Sequence, residues 1–211
     1  VLTPGLIDAH THLCYAGSRA RDYADRLNGV SYQEIATRGG GIKDTMRQTR
    51  CASEEELVDL NLVRLTQHLR RGVTTVEIKS GYGLSVSDEL KQLRAIRALA
   101  ERTPQRLVST CLAAHVPPPE FDAPEEYLQE VLQALLPTVK REGLSDRVDA
   151  FIEPSAFSVE RARPYLERAQ EMGFSLTLHA DQFERGGARL AASLGALSAD
   201  HLEVSTENDL R

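Results

Sequence analysis

The chain is poor in cysteine, and the three it has, Cys14, Cys51 and Cys111, lie far apart with no C-x-x-C among them. That excludes a disulfide framework and a thiolate zinc site, and makes a reducing cytoplasm the expected compartment. No apolar run approaches the roughly 18–20 residues of a membrane span. A charged start followed by an apolar segment, the mark of a secretory signal, is also missing. Positive charge is in deficit: the formal net charge is −6, with no Lys/Arg-rich patch to offset it, which argues against nucleic acid as a partner. No G-x-G-x-x-G follows a strand, so a dinucleotide-binding fold loses its best signal. Low-complexity segments and repeats of 20–50 residues are lacking too. The chain opens VLTPG without methionine and runs straight into a strand-like segment, so the expectation is a piece from the middle of a longer protein.

What is present is an alternation. With 211 residues, 41% of them apolar, the chain can bury a sizeable core, and residues 1–211 read as one domain. Short β-branched or apolar runs at Leu6–Ala9, Val73–Lys79, Arg106–Ala113, Val148–Glu153, Phe174–His179 and Leu197–Asp200 read as strands. Longer amphipathic runs at Glu54–Arg71, Ser87–Arg102, Pro124–Glu142, Val159–Met172 and Arg185–Leu194 read as helices, and a further helix is expected from Ser205. Ser53 with Glu56 forms a capping box for the first of these. The glycines at 39–41 read as a flexible loop, and Arg19, Arg21 and Arg26 as an Arg-rich one. Strands separated by single helices make parallel sheets, because a parallel crossover needs a dozen or more residues. Six such units predict an α/β fold of the (β/α)8 TIM-barrel type, short of about two units. A doubly wound open sheet is the alternative.

Five of the six histidines fall at a predicted strand's C-terminal end or just beyond: His10, His12, His115, His179 and His201. In a parallel barrel those ends surround one cavity. Residues i and i+2 of a strand share a face, so His10 and His12 can hold one cation together, with His179 as a third ligand, while Thr11 points away. Neutral imidazole suits zinc, iron or similar metals, and three protein ligands leave an open position for water, as hydrolysis requires. A lone strand-end histidine is more often a hydrogen-bonded core or rim residue; the case rests on the five together. His68, inside a helix, reads as a surface or boundary residue.

PGLIDAHTH at the first strand resembles the metal motif of the amidohydrolase superfamily. With HTHLCYAGSR, SYQEIATRGGGI, EIKSGYGL, AAHVPPPEF, LHADQ and SADHLE it is similar to the imidazolonepropionase family, over nearly the whole chain and in order. The resemblance implies a mononuclear zinc or iron site on His10, His12 and His179. The family's remaining ligand, an aspartate near the eighth strand, falls beyond Arg211. It implies substrate contacts at Arg19, Tyr32, Tyr82 and His115, a catalytic His201 near the attacking water, and Gln182 where some members carry a glutamate. It implies hydrolysis of the cyclic amide of 4-imidazolone-5-propanoate to N-formimidoyl-L-glutamate in histidine degradation. A flanking β-sandwich built from both chain ends, absent here, and a homodimer when full length are further implications.

The residue types suit such chemistry. A guanidinium at Arg19 can grip a carboxylate with two parallel hydrogen bonds, and Tyr32 and Tyr82 offer a hydroxyl and a ring face to a flat heterocycle. His115 can donate to the carboxylate or the ring. Arg19 and Tyr32 read equally well as solvated or helix-packed residues. Glu153, Asp181 and Asp200 can brace a ligand, Cys14 reads as packing, and a carboxylated Lys79 bridging two metals does not fit a mononuclear site. Two rivals stay open: another amidohydrolase acting on a different ring, whether cyclic amidohydrolase or deaminase, and an inactive metal-binding fragment. The isolated 211 residues are expected to be inactive and weakly metallated.

Overall fold

The β-branched run VTTVEIK forms a strand over the residues expected of it, and the other five expected strands form within one or two residues of their predicted limits. The computed structural model describes residues 2–209, apart from the side chains of Tyr32, Gln33 and Ala36. Its strands are β1 (Leu6–Asp8), β2 (Val73–Lys79), β3 (Arg106–Ala114), β4 (Arg147–Ile152), β5 (Ser175–Ala180) and β6 (Ser198–His201). All neighbours pair in parallel, in sequence order β1-β2-β3-β4-β5-β6. A doubly wound sheet would reverse its strand order at a switch point. This sheet does not, and it forms an incomplete TIM-type barrel.

Helices cover the sheet between strands: α4 (Glu54–Arg70), α5 (Val86–Arg102), α6 (Pro124–Glu130), α7 (Leu136–Glu142), α8 (Val159–Glu171) and α9 (Gly187–Ser193). Helix α4 starts at the expected capping box, with both reciprocal hydrogen bonds of Ser53 and Glu56 formed. A π-helical turn, Val131–Leu135, divides the helix expected over 124–142. Pro137 follows it, and a residue without an N–H cannot continue the regular ladder, so the widened turn takes up the break. Leu57 and Leu65 of α4 and Leu93 and Leu99 of α5 are fully buried, as are Val76, Ile78, Val148 and Leu178 of the sheet.

The stretch between β1 and α4 differs from the expectation. It holds three short helices, α1 (Ala20–Leu27), where an Arg-rich loop was expected, α2 (Tyr32–Thr37), and α3 (Ile42–Cys51), for which no element was predicted. Helix α1 buries no residue and α3 only Thr45 and Thr49, so neither carries the apolar stripe that periodicity detects. The glycines at 39–41 are not a free loop. Gly39 and Gly41 have φ of +83° and +70°, and the Gly41 N–H donates to Asp22 Oδ2 at 2.8 Å. Among the described residues, the helix expected from Ser205 shows as a 3-10 turn, Glu207–Asp209.

The segment leaving β1 is pinned from outside. Arg64 of α4 donates to the carbonyl of Leu13 at 3.0 Å and to that of Tyr15, and stacks on the Tyr15 ring 3.6 Å from its centroid. Gln92 of α5 donates to the Cys14 carbonyl at 2.6 Å. Replacing Arg64 by Met removes the side-chain donor from those carbonyls and leaves Leu13 only the Tyr15 N–H, and is expected to cost about 1–3 kcal/mol. Urea unfolding of the two proteins checks this; an unchanged midpoint would contradict it.

Candidate functional site

His10 and His12 leave the end of β1 in extended chain. The backbone N–H of Lys79 donates to the Thr11 carbonyl at 2.9 Å, and the Thr11 hydroxyl to the Glu77 carbonyl at 2.5 Å. Thr11 therefore faces its neighbour strand, and the two histidines turn the other way. His12 Nε2 lies 3.2 Å from His10 Nε2 and 3.0 Å from His179 Nε2, at the end of β5. One nitrogen from each ring falls within 4.8 Å of the others.

Two carboxylates, Asp200 part-buried and Asp149 fully buried, set which nitrogen of His10 and His179 faces inward. His10 Nδ1 is 2.8 Å from Asp200 Oδ2, and His179 Nδ1 is 3.1 Å from Asp149 Oδ2. A carboxylate accepts, so each Nδ1 carries its proton and each Nε2 presents a lone pair. Lone pairs about 3 Å apart repel unless something positive lies between them. Nitrogens bound to a tetrahedral ion at about 2.0–2.1 Å stand roughly 3.3 Å apart, so this donor set fits a divalent ion of the zinc type. His12 lacks such a carboxylate, and its Nδ1 is buried without a hydrogen-bond partner. Burial, with His115, His179 and His10 around it, holds His12 well below the usual histidine range, so the ring is neutral as a ligand must be.

Lys79, at the end of β2, lies behind the histidines with a fully buried side chain. Its Nζ is 2.7 Å from Asp149 Oδ2, 2.9 Å from Glu77 Oε2 and 3.5 Å from Asp200 Oδ2. Burial alone would raise Asp149, but His179 and Lys79 outweigh it and hold that carboxyl well below the usual range. Burial likewise opposes Asp200, and the His10 hydrogen bond with the Lys79 charge still lowers it.

Next to the histidines opens a cavity of about 820 Å³ lined by Arg19, Tyr82, His115, Phe151 and Gln182 among others. Arg19 Nε donates to Thr45 Oγ1 at 2.9 Å, and its guanidinium lies 6.0 Å from the Tyr82 ring centre. His115 stacks on His12, with ring centres 5.0 Å apart, and donates from Nδ1 to the Gly81 carbonyl at 2.9 Å. Removal from water, and then the neighbouring His179, lower the His115 pKa to about 4. His201 completes the ring of imidazoles, with its centre 5.2 Å from that of His10 and 5.1 Å from that of His179. Its backbone takes φ +79°, a sparsely populated value for a non-glycine residue. The side chain of Tyr32 lies outside the described residues. Of the other predicted site residues, the structure brings all eight to one mouth.

Three carboxylates clamp the loops of that mouth by their backbone amides. Glu89 accepts from Gly81, Gly83 and Leu84 at 2.8–3.0 Å. Glu153 accepts from Gln182, Phe183 and Glu184 at 2.9–3.2 Å. Asp181 accepts from Gly186 and Ala188 at 2.9 and 3.0 Å. Glu153 and Asp181 thus brace loops and not ligands, whereas Asp200 does brace His10. Sequence reasoning missed Glu89 and Asp149. An acid inside the buried run RVDAFI was the available signal for Asp149. Cys14 is buried, its thiol pushed up to about 12, and is no nucleophile.

The profile of the Amidohydrolase family matches residues 1–207. The chain belongs to the amidohydrolase family. Members of this family bind a divalent metal, and the three histidines are one group able to hold it. The imidazolonepropionase of Erwinia tasmaniensis is 52% identical over 212 residues, covering 100% of this chain and 52% of its own length. That of Symbiobacterium thermophilum is 54% identical over 210 residues, covering 98% of this chain and 49% of its own. The chain spans about half the length of the curated relatives it matches. Among solved structures, an adenine deaminase from Arthrobacter aurescens aligns with TM-score 0.58 at 14% identity, over 96% of this chain and 63% of the other. An Arabidopsis N6-mAMP deaminase aligns with TM-score 0.57 at 17% identity, over 98% and 68%. These two likenesses show the shared fold.

In this amidohydrolase the Glu153 clamp is open to a direct test. Glu153→Ala is expected to speed amide hydrogen exchange at Gln182, Phe183 and Glu184 by about tenfold or more, while Gly81, Gly83 and Leu84 keep their protection. Equal protection of 182–184 in both proteins would refute the clamp.

Proposed function

We propose that the full-length protein hydrolyses the cyclic amide of 4-imidazolone-5-propanoate to N-formimidoyl-L-glutamate, with one zinc or iron ion on His10, His12 and His179. One observation carries this reading: the cavity lined by His115, whose ring stacks on His12, also holds a guanidinium, Arg19. A carboxylate-bearing heterocycle needs both. The relatives named imidazolonepropionase, at about half identity across the chain, support the same ring. Residues 1–211 are read as one barrel domain of a protein that works in the cytoplasm as a homodimer.

A cation on those nitrogens would polarise the ring carbonyl and make a water more acidic. The chain's own residues do the rest. Arg19 holds the propanoate through charge-assisted hydrogen bonds. Tyr82 flanks the flat ring, and Tyr32 is kept as a further substrate contact on the family likeness alone. His115 was expected to donate; with its Nδ1–H engaged by Gly81, the neutral ring instead offers Nε2 as an acceptor to a ring N–H. Gln182, its backbone held by Glu153, offers an amide to the ring's polar edge. Partial burial and then His179 lower the His201 pKa, so this imidazole is neutral and able to take a proton near pH 7. Water adds to the ring carbonyl carbon and the adjacent C–N bond breaks. His201 takes the proton from water and returns it to the departing nitrogen.

The test uses the full-length protein, assayed on imidazolone propionate, cytosine, guanine and hydantoins. Turnover of the first alone is expected, and turnover of another ring in its place would sink the reading. His12→Ala should lose both metal and activity. Arg19→Met should raise KM about 10- to 100-fold with kcat little changed, the loss a charge-assisted contact implies. An unchanged KM would remove Arg19 from the substrate site.

A further inference from the structure

Two groups of side chains at this mouth have the spacing to hold a cation. One is the histidine trio. The other is His10, Glu77 and Asp200, whose ligand atoms also lie within 4.8 Å of one another. The second group is already served. Lys79 Nζ stands 2.9 Å from Glu77 Oε2 and 3.5 Å from Asp200 Oδ2, and reaches Asp149 Oδ2 at 2.7 Å. We propose that the Lys79 ammonium is a built-in second cation: it fills the Glu77–Asp200 position, so that this mouth takes one metal ion and not two.

Charge and geometry both support this. Three carboxylates around one ammonium leave two negative charges in a largely buried cluster, which a single divalent ion among the histidines neutralises. A second dication beside the fully buried ammonium would overcharge the cluster by two, where Lys79 and Asp149 are closed to screening water. The ammonium also couples the ligands. Asp200 Oδ2 accepts from both Lys79 and His10, and Asp149 from both Lys79 and His179. Lys79 therefore holds both carboxylates that aim histidine Nε2 atoms at the first ion. Thr110, donating to Glu77 Oε1 at 2.6 Å, fixes the third acid. A lysine so enclosed is a positioning residue and touches no substrate.

The inference rests on the metal reading above, and its test separates the two. Full-length protein is stripped by chelator, saturated with Co²⁺ or with Zn²⁺, and freed of excess. Metal per chain is then measured, together with the visible and electron paramagnetic spectra of the Co²⁺ form. The unchanged protein is expected to hold one ion. Lys79→Met, and Lys79→Gln, which keeps a donor and perturbs folding less, are expected to hold two, with the Co²⁺ signal altered by spin coupling between neighbours. One ion in either folded variant, with an unchanged spectrum, overturns the proposal. So does a second ion in the unchanged protein, a result that needs no variant to fold. No ion in the unchanged protein would instead overturn the metal reading itself.

Discussion

Three imidazole nitrogens gathered within 4.8 Å of one another, with the Nδ1 protons of His10 and His179 turned outward onto carboxylates, are the constraint around which this molecule is arranged. Lone pairs that close repel, and a positive charge placed between them relieves the repulsion. The orientation of two of them, His10 and His179, comes from the carboxylates of Asp200 and Asp149, and those carboxylates are held in turn by one buried ammonium. The chain of dependence runs from Lys79 to Asp149 and Asp200, from these to His179 and His10, and from the rings to the shared point they face. Each link joins side chains from different strands. A parallel arrangement with all C-terminal ends together is what allows such links to form.

The same device recurs with backbone in place of histidine. Glu89, Glu153 and Asp181 each gather amide N–H groups from a loop at the mouth. The loops carrying Tyr82 and Gln182 are thereby fixed by acids set into the scaffold beneath them. Part of the chain's acidic excess consequently lies inside, as acceptors, and not on the surface as solvated charge. The result is a stiff rim around the cavity, with the guanidinium of Arg19 on one side and the imidazoles on the other. That arrangement matches a flat ring bearing an acid tail.

Much of this was legible in the residues. The strands announced themselves through β-branched runs such as VTTVEIK, and the strand-end histidines through their position relative to those runs. The helices α4, α5 and α8 carried apolar periodicity strong enough to place within a residue or so. What stayed hidden had weak local signals. Helices α1 and α3 bury almost nothing, so no periodicity marked them, and the glycines at 39–41 read as a loop because the Asp22 contact that orders them comes from 19 residues away. Lys79 and Asp149 sit 70 residues apart, and only the folded sheet shows that they form one ion pair. Local pattern reports an element; it does not report which distant partner satisfies a buried charge.

The account is tested most directly by crystals of the full-length protein grown with its own metal, with diffraction recorded on both sides of that metal's absorption edge. It predicts a single anomalous peak about 2.0–2.2 Å from the Nε2 atoms of His10, His12 and His179. A peak elsewhere in the molecule, or ligation through Nδ1 with the carboxylates of Asp149 and Asp200 turned away, would contradict it.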